Sequence, residues 1–213
     1  MNTIASILAE KLLEISAIKL QPANPFVWAS GWNSPIYTDN RKTLSYPGIR
    51  SFIKIELART IAENFRDVDA IAGVATGAIA QGALVADLLG LPYVYVRSSP
   101  KDHGLENLIE GNLKAGQKVV VIEDLISTGK SSLKAVEAIR NAGCEVVGMV
   151  AMFTYQFPVA EKSFDDANVK LITLSNYSAM LEVAEKINYI QPSDVEALKE
   201  WRQDPENWVP QID

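Results

Sequence analysis

A parallel α/β sheet is the fold class the sequence predicts, and three observations predict it. From residue 70 onward, short apolar runs alternate with stretches of helical spacing, the rhythm of strand–helix–strand units. One run, Val119, Val120, Val121 and Ile122, has no polar break, as a strand covered by helices on both faces requires. Gly90 and Gly143 stand where two helices should stop, each a few residues ahead of a strand, the position of a left-handed C-cap.

The elements follow in order. Ile4, Ile7, Leu8, Leu12 and Ile15 recur at helical spacing and predict an amphipathic helix that ends before Pro22 and Pro25. Residues 28–46 mix aromatics with Gly31, Asn33, Pro35, Asp39 and Asn40, which predicts short strands and turns rather than core. Pro47 suits the first turn of a helix carrying Ile49, Phe52, Ile53, Leu57 and Ile61 on one face. Strands are then expected at 70–75, 93–97, 118–123, 146–153 and 169–174, with helices between them. Ser193 and Glu196 have capping-box spacing for a last helix, and Pro205 and Pro210 mark an irregular tail. A single domain over residues 1–213 is expected, with a helix-plus-hood segment at 1–46 and the core sheet at 69–175.

Composition excludes several classes. With 48% apolar and 22% charged residues the chain is neither disordered nor coiled coil. Twenty-six acidic against twenty basic residues give a net charge of −6, which repels nucleic-acid backbones and confines any anion site to a local feature. The longest uncharged stretch, 70–86, contains three glycines and Gln81 and falls short of the ~20 apolar residues of a membrane span. Residues 1–20 carry Glu10, Lys11, Glu14 and Lys19 inside their apolar pattern, unlike a signal peptide. Cys144, the one cysteine, has no internal disulfide partner, which suits a reducing cytoplasmic setting.

Residues 119–132, VVVIEDLISTGKSS, carry the strongest chemical signal. A buried-type strand ends in two adjacent carboxylates, Glu123 and Asp124, followed by Leu125, Ile126, Ser127, Thr128, Gly129, Lys130 and Ser131, which open a helix. Ligands of open α/β sheets sit at the carboxyl ends of strands, and a helix N-terminus attracts phosphate. The paired acids would repel that phosphate unless something lay between them, and the hydroxyls of a ribose do so; the segment therefore predicts a sugar-phosphate site. Gly129, Lys130 and Ser131 match the end of a Walker A loop, but Asp124 stands where that loop needs glycine. Gly73, Gly77 and Gly82 do not make a dinucleotide fingerprint. The remaining alternative is a capped surface loop, which has no need of paired acids.

Two further segments bear on the site. Residues 97–112 make a charged connection longer than the usual two to six residues, as lids do. It holds Arg97, Lys101 and His103, the only histidine, cations that suit a departing pyrophosphate, although Asp102, Glu106 and Glu110 dilute them in the manner of a solvated turn. Residues 72–78, AGVATGA, end a strand in small residues, which serve either tight helix packing or close approach of backbone to a ligand.

The segment at 119–132 resembles the phosphoribosyl pyrophosphate motif of the type I phosphoribosyltransferases. YVRSSPKDHG at 95–104 and SGWNSPIYTDNR at 30–41 resemble the lid and the N-terminal base segment of the orotate phosphoribosyltransferase family. The resemblance implies the type I fold, a central parallel sheet flanked by helices with a small N-terminal hood and a mobile lid. It also implies Mg²⁺ carried by the substrate rather than a protein metal site, and a cytoplasmic homodimer whose lid closes over the neighbouring subunit's site. The implied reaction joins orotate to phosphoribosyl pyrophosphate for pyrimidine biosynthesis, with no nucleic-acid or membrane partner. Arg97, Lys101 and His103 then bind pyrophosphate, with Lys101 and His103 catalytic beside Asp124; Thr76 and Gly77 form the pyrophosphate loop, and residues 123–131 bind the donor. Ala29, Tyr155, and Ser98 or Ser99 replace basic residues found in some members, so the orotate carboxylate falls to backbone N–H groups, to Ser127 or to residues outside these motifs, with Trp28, Trp32 and Tyr37 as a stacking wall or as packing. A transferase for another base, or a non-catalytic protein that binds phosphoribosyl pyrophosphate, shares the phosphate motif, but the former is not expected to carry PKDHG.

Overall fold

The computed structural model describes residues 3–28, 31–99 and 108–210. Its centre is a six-stranded sheet in the order β10-β9-β8-β5-β6-β7. The strands are β5 (Ala70–Val74), β6 (Tyr93–Val96), β7 (Ile109–Glu110), β8 (Lys118–Ile126), β9 (Glu145–Thr154) and β10 (Leu171–Asn176). All neighbours are parallel except β6 and β7. The five strands expected from the apolar runs are present; β8 runs three residues past its expected end, and β10 lies two residues later than expected. The antiparallel edge strand β7 was not expected. It falls inside the predicted 97–112 loop and pairs Ile109 with Val96 and Glu110 with Tyr95.

Alternation along the strands builds two cores. Val120 and Ile122 of β8 face a core shared with α1 (Ile4–Glu14), α2 (Pro47–Asn64), α3 (Ile79–Leu89), α6 (Tyr177–Lys186) and α7 (Pro192–Gln203). Val119 and Val121 face the other, shared with α4 (Lys130–Asn141) and α5 (Pro158–Asp166). Ile53, Leu57 and Ile61 of α2 are buried as their spacing predicts, and Pro47 is its first residue. Gly90 is a left-handed C-cap, and Gly143, one residue past the C-cap of α4, has φ 81°.

Before α2 lie two small antiparallel pairs. β1 (Ile18–Leu20) pairs with β4 (Ile36–Thr38), and β2 (Phe26–Val27) with β3 (Asn33–Ser34). A 3₁₀ turn, Asn40–Ser45, follows. The short strands and turns expected here are present, but against expectation part of this hood is core: Ser34, Ile36, Asn40 and Thr43 are all at most 2% exposed. The period-2 signal of three-residue strands is too short to reveal which side is buried. The last helix also differs, starting at Pro192 with Asp194 accepting from the Gln191 N–H, so its cap lies two residues before the expected Ser193.

Candidate active site

The carboxyl ends of β5 and β8 lie side by side at the middle of the sheet, where connections to α3 and α4 leave the strands. Because β8 extends to Ile126, Glu123 and Asp124 are both strand residues, and their carboxyls lie close enough to interact. Glu123 is 4% exposed; its Oε1 accepts the Asp124 N–H at 2.9 Å and its Oε2 the Ser132 hydroxyl at 2.8 Å. Asp124 is partly exposed and lies against Gly77, where a Cβ would stand 2.1 Å from Oδ2. The two acids expected to share a diol thus differ in environment, Glu123 buried and Asp124 partly exposed. Leu125 and Ile126, placed by sequence in the donor-binding run, are strand residues whose side chains pack into the two cores, and the Ile126 carbonyl accepts the Tyr155 N–H.

Ser127 and Thr128 are partly exposed in the turn that follows. Gly129, with φ 80°, is the N-cap of α4 and brings no capping side chain. The first-turn N–H groups of α4 therefore remain open to an anion. Ser131 is exposed beside them, whereas the exposed Lys130 lines an outer groove along α4 with Leu133 and Lys134.

After β5 the chain turns through Ala75, Thr76 and Gly77, with a cis peptide between Ala75 and Thr76. The small residues here make room for neighbouring side chains. Gly73 admits the Tyr93 hydroxyl, which would lie 2.4 Å from a Cβ and donates to the Ile79 carbonyl, while Gly77 admits Asp124. A cleft of about 510 Å³ is lined by Thr76, Ile79, Tyr95, Arg97, Ser98 and Ser99. Arg97 is 3.5 Å from Glu110 across it, and its N–H donates to the Leu108 carbonyl. Lys101 and His103 lie outside the described residues.

The hood reaches the site through a residue that motif reading missed. Asn40, 2% exposed, donates from Nδ2 to the Asp124 carbonyl at 2.6 Å. No local pattern signals this, since the contact spans 84 positions. Tyr155, in place of a basic residue, is 2% exposed and stacks with Trp28 at 5.4 Å. Trp28 also stacks with Trp32 at 6.4 Å and meets the edge of Trp201 at 5.6 Å. Of the three aromatics expected as a stacking wall or as packing, Trp28 packs on the Tyr155–Trp201 cluster, Trp32 is partly exposed beside it, and Tyr37 is well exposed, tilted against Phe26.

Comparison with known proteins agrees with this layout. The model of the phosphoribosyl transferase domain matches residues 50–187. An orotate phosphoribosyltransferase of Porphyromonas gingivalis is 69% identical over 98% of this chain and 99% of its own length. The chain belongs to the orotate phosphoribosyltransferase family. A Listeria innocua member is 56% identical over 94% of this chain and 96% of its own. The crystal structure of the Aeropyrum pernix orotate phosphoribosyltransferase superposes with a TM-score of 0.75 at 28% identity, covering 86% of this chain and 99% of that one.

Within this orotate phosphoribosyltransferase framework the electrostatics are asymmetric. Burial, reinforced by the neighbouring Asp124, pushes the Glu123 carboxyl well above the usual carboxylate range. Burial likewise raises the Tyr155 and Tyr177 hydroxyls, keeping both neutral. Among the described residues no group of three or more His, Cys, Asp or Glu side chains is arranged to hold a metal ion. None of the described helices is long and apolar enough to cross a membrane.

Proposed function

We propose that the protein transfers ribose 5-phosphate from phosphoribosyl pyrophosphate to the ring nitrogen of orotate, releasing orotidine 5′-monophosphate and pyrophosphate. The observation that carries this reading is the meeting of Asp124 with Gly77 at the end of the strand that leads into the uncapped N-terminus of α4, in a chain 69% identical to a curated orotate phosphoribosyltransferase. Glycosyl transfer through an oxocarbenium-like state requires two substrates held in line, a neutralised leaving group and exclusion of water.

Each demand has a source in the chain. The α4 N-terminus, with Thr128, Gly129 and Ser131, takes the 5′-phosphate. Asp124 accepts from the ribose hydroxyls, while the inward-turned Glu123 holds the Asp124 backbone in place. Thr76, Gly77 and Arg97 line the pyrophosphate side, and Lys101 and His103 add charge when the lid closes, with Lys101 acting chiefly in the transition state. Ser127 and adjoining N–H groups receive the orotate carboxylate.

Magnesium fits this donor set: Mg²⁺ is ordinarily held by one or two carboxylates together with substrate phosphates, and Asp124 supplies such a carboxylate. When bound it offsets negative charge on the donor's pyrophosphate. The protein works in this reading as a cytoplasmic homodimer with lids shared between subunits. Product formation from orotate and phosphoribosyl pyrophosphate, followed with and without EDTA, tests the reading. Stoichiometric orotidine monophosphate and pyrophosphate, abolished by EDTA and restored by excess Mg²⁺, is expected; turnover unaffected by EDTA removes the metal from it.

A further inference from the structure

The hood and α7 both lie outside the matched 50–187 segment, yet they are built into each other. Trp201 of α7 is fully buried and donates its indole N–H to the carbonyl of Asn33 in β3, at 3.2 Å. The same ring meets Trp28 of the hood edge-on at 5.6 Å and packs against Tyr155, Phe157 and Tyr177. One step further from the hood, the buried Tyr177 hydroxyl donates to the Leu198 carbonyl and fixes α7 on α6 at 2.9 Å.

The hood hairpin is small, with two residues in each of β2 and β3, and isolated two-stranded pairs have marginal stability in water. Its position must therefore come from what it packs on. It is held by Trp28 stacked on Tyr155 and by Trp201 at the Asn33 carbonyl, while Asn40 of the turn that follows is held to Asp124.

We propose that α7 is a brace for the base-binding hood and that Trp201 is its positioning residue, setting the hood for orotate without touching the phosphoribosyl donor. This rests on the proposed orotate transfer and on the resemblance of residues 30–41 to the family's base segment. The donor groups at 123–131 and 75–77 hang on β8 and β5, not on α7, so loosening the brace separates the two substrates.

Two variants test it. Trp201→Phe removes the N–H donor and keeps an aromatic ring; Tyr177→Phe weakens the α7 anchor from a distance and carries the test if Trp201→Phe fails to fold. Each is assayed for orotate KM, kcat, phosphoribosyl pyrophosphate binding by calorimetry, and hydrogen exchange at the Gln21 and Trp28 amides, which bond within the hood. The expected result is an orotate KM raised about fivefold, the effect of one lost hydrogen bond, with kcat and donor binding within twofold. Hood amides should exchange faster while β8 amides keep their protection. Orotate and donor constants that move together, or unchanged hood exchange, overturn the brace. If the wild-type protein leaves orotate untouched, the functional reading fails separately and exchange alone decides: faster hood exchange in Tyr177→Phe upholds the brace, and unchanged exchange overturns it.

Discussion

Glu123 and Asp124 are adjacent in sequence and opposite in environment. The buried Glu123 carboxyl, held by Ser132 and the Asp124 N–H, has its pKa raised above the ordinary 4.5. The folded state therefore binds this proton more tightly than the unfolded chain, so the group's contribution to stability is present at acid pH and is lost as pH rises from about 4.5 through the raised value. Glu123→Gln keeps a side chain of the same shape without the ionisation. Its melting temperature relative to wild type should climb as pH rises above the ordinary carboxylate range; a difference that stays constant with pH contradicts the assignment. Gly77→Ala places a methyl 2.1 Å from Asp124 Oδ2. Displacing that carboxylate by the ångström or so needed should lower kcat/KM by roughly 10²-fold with the fold retained, measured by initial rates beside a thermal melt. The acidic pair was legible in the sequence. Its inequality was not, because it depends on what the fold sets against each acid: Ser132 of α4 against Glu123, and Gly77 of the neighbouring turn against Asp124.

At the scale of elements, the turn from β8 to α4 is set by Gly129. Its φ of 80° and the 2.9 Å gap between a Cβ and Phe164 Cε2 leave no room for a side chain. Gly129→Ala should lower the melting temperature by roughly 3–8 °C, the left-handed cost alone being about 1–2 kcal/mol. Calorimetry checks this, and an unchanged melt means the turn takes another conformation. Elements whose signal is periodic were legible: the apolar runs gave the strands of the sheet, and Gly90 and Gly143 gave the helix ends. β7 was not, because two residues carry no period and its pairing with β6 is decided across the lid. The α7 cap was misplaced because Ser193 and Glu196 imitate a capping box, whereas Pro192 already occupies the first helical position.

On the scale of the molecule, the parts meet from far apart in sequence: Asn40 with Asp124, Gly77 with Asp124, Trp201 with Asn33. Such contacts leave no local trace, which explains why the phosphate motif was readable and the hood's attachment was not. The burial of Tyr155 belongs here too, since a tyrosine in place of a basic residue reads equally as ligand contact or packing until Trp28 and Trp201 are seen around it. If the lid acts on the neighbouring subunit, mixing Lys101→Ala with Asp124→Ala protein should create heterodimers with one intact site and recover roughly a quarter of wild-type activity; inactivity of the mixture, with both parents folded, contradicts lid sharing.

The central claim is that the site joins a phosphoribosyl donor to orotate in particular. Its most direct test follows orotate absorbance after phosphoribosyl pyrophosphate and Mg²⁺ are added to the purified protein, with adenine, uracil and hypoxanthine in parallel reactions. Loss of orotate that requires enzyme, donor and Mg²⁺ together, with the other bases untouched, is the predicted result. Consumption of another base with orotate unchanged, or donor binding with no base consumed, contradicts it.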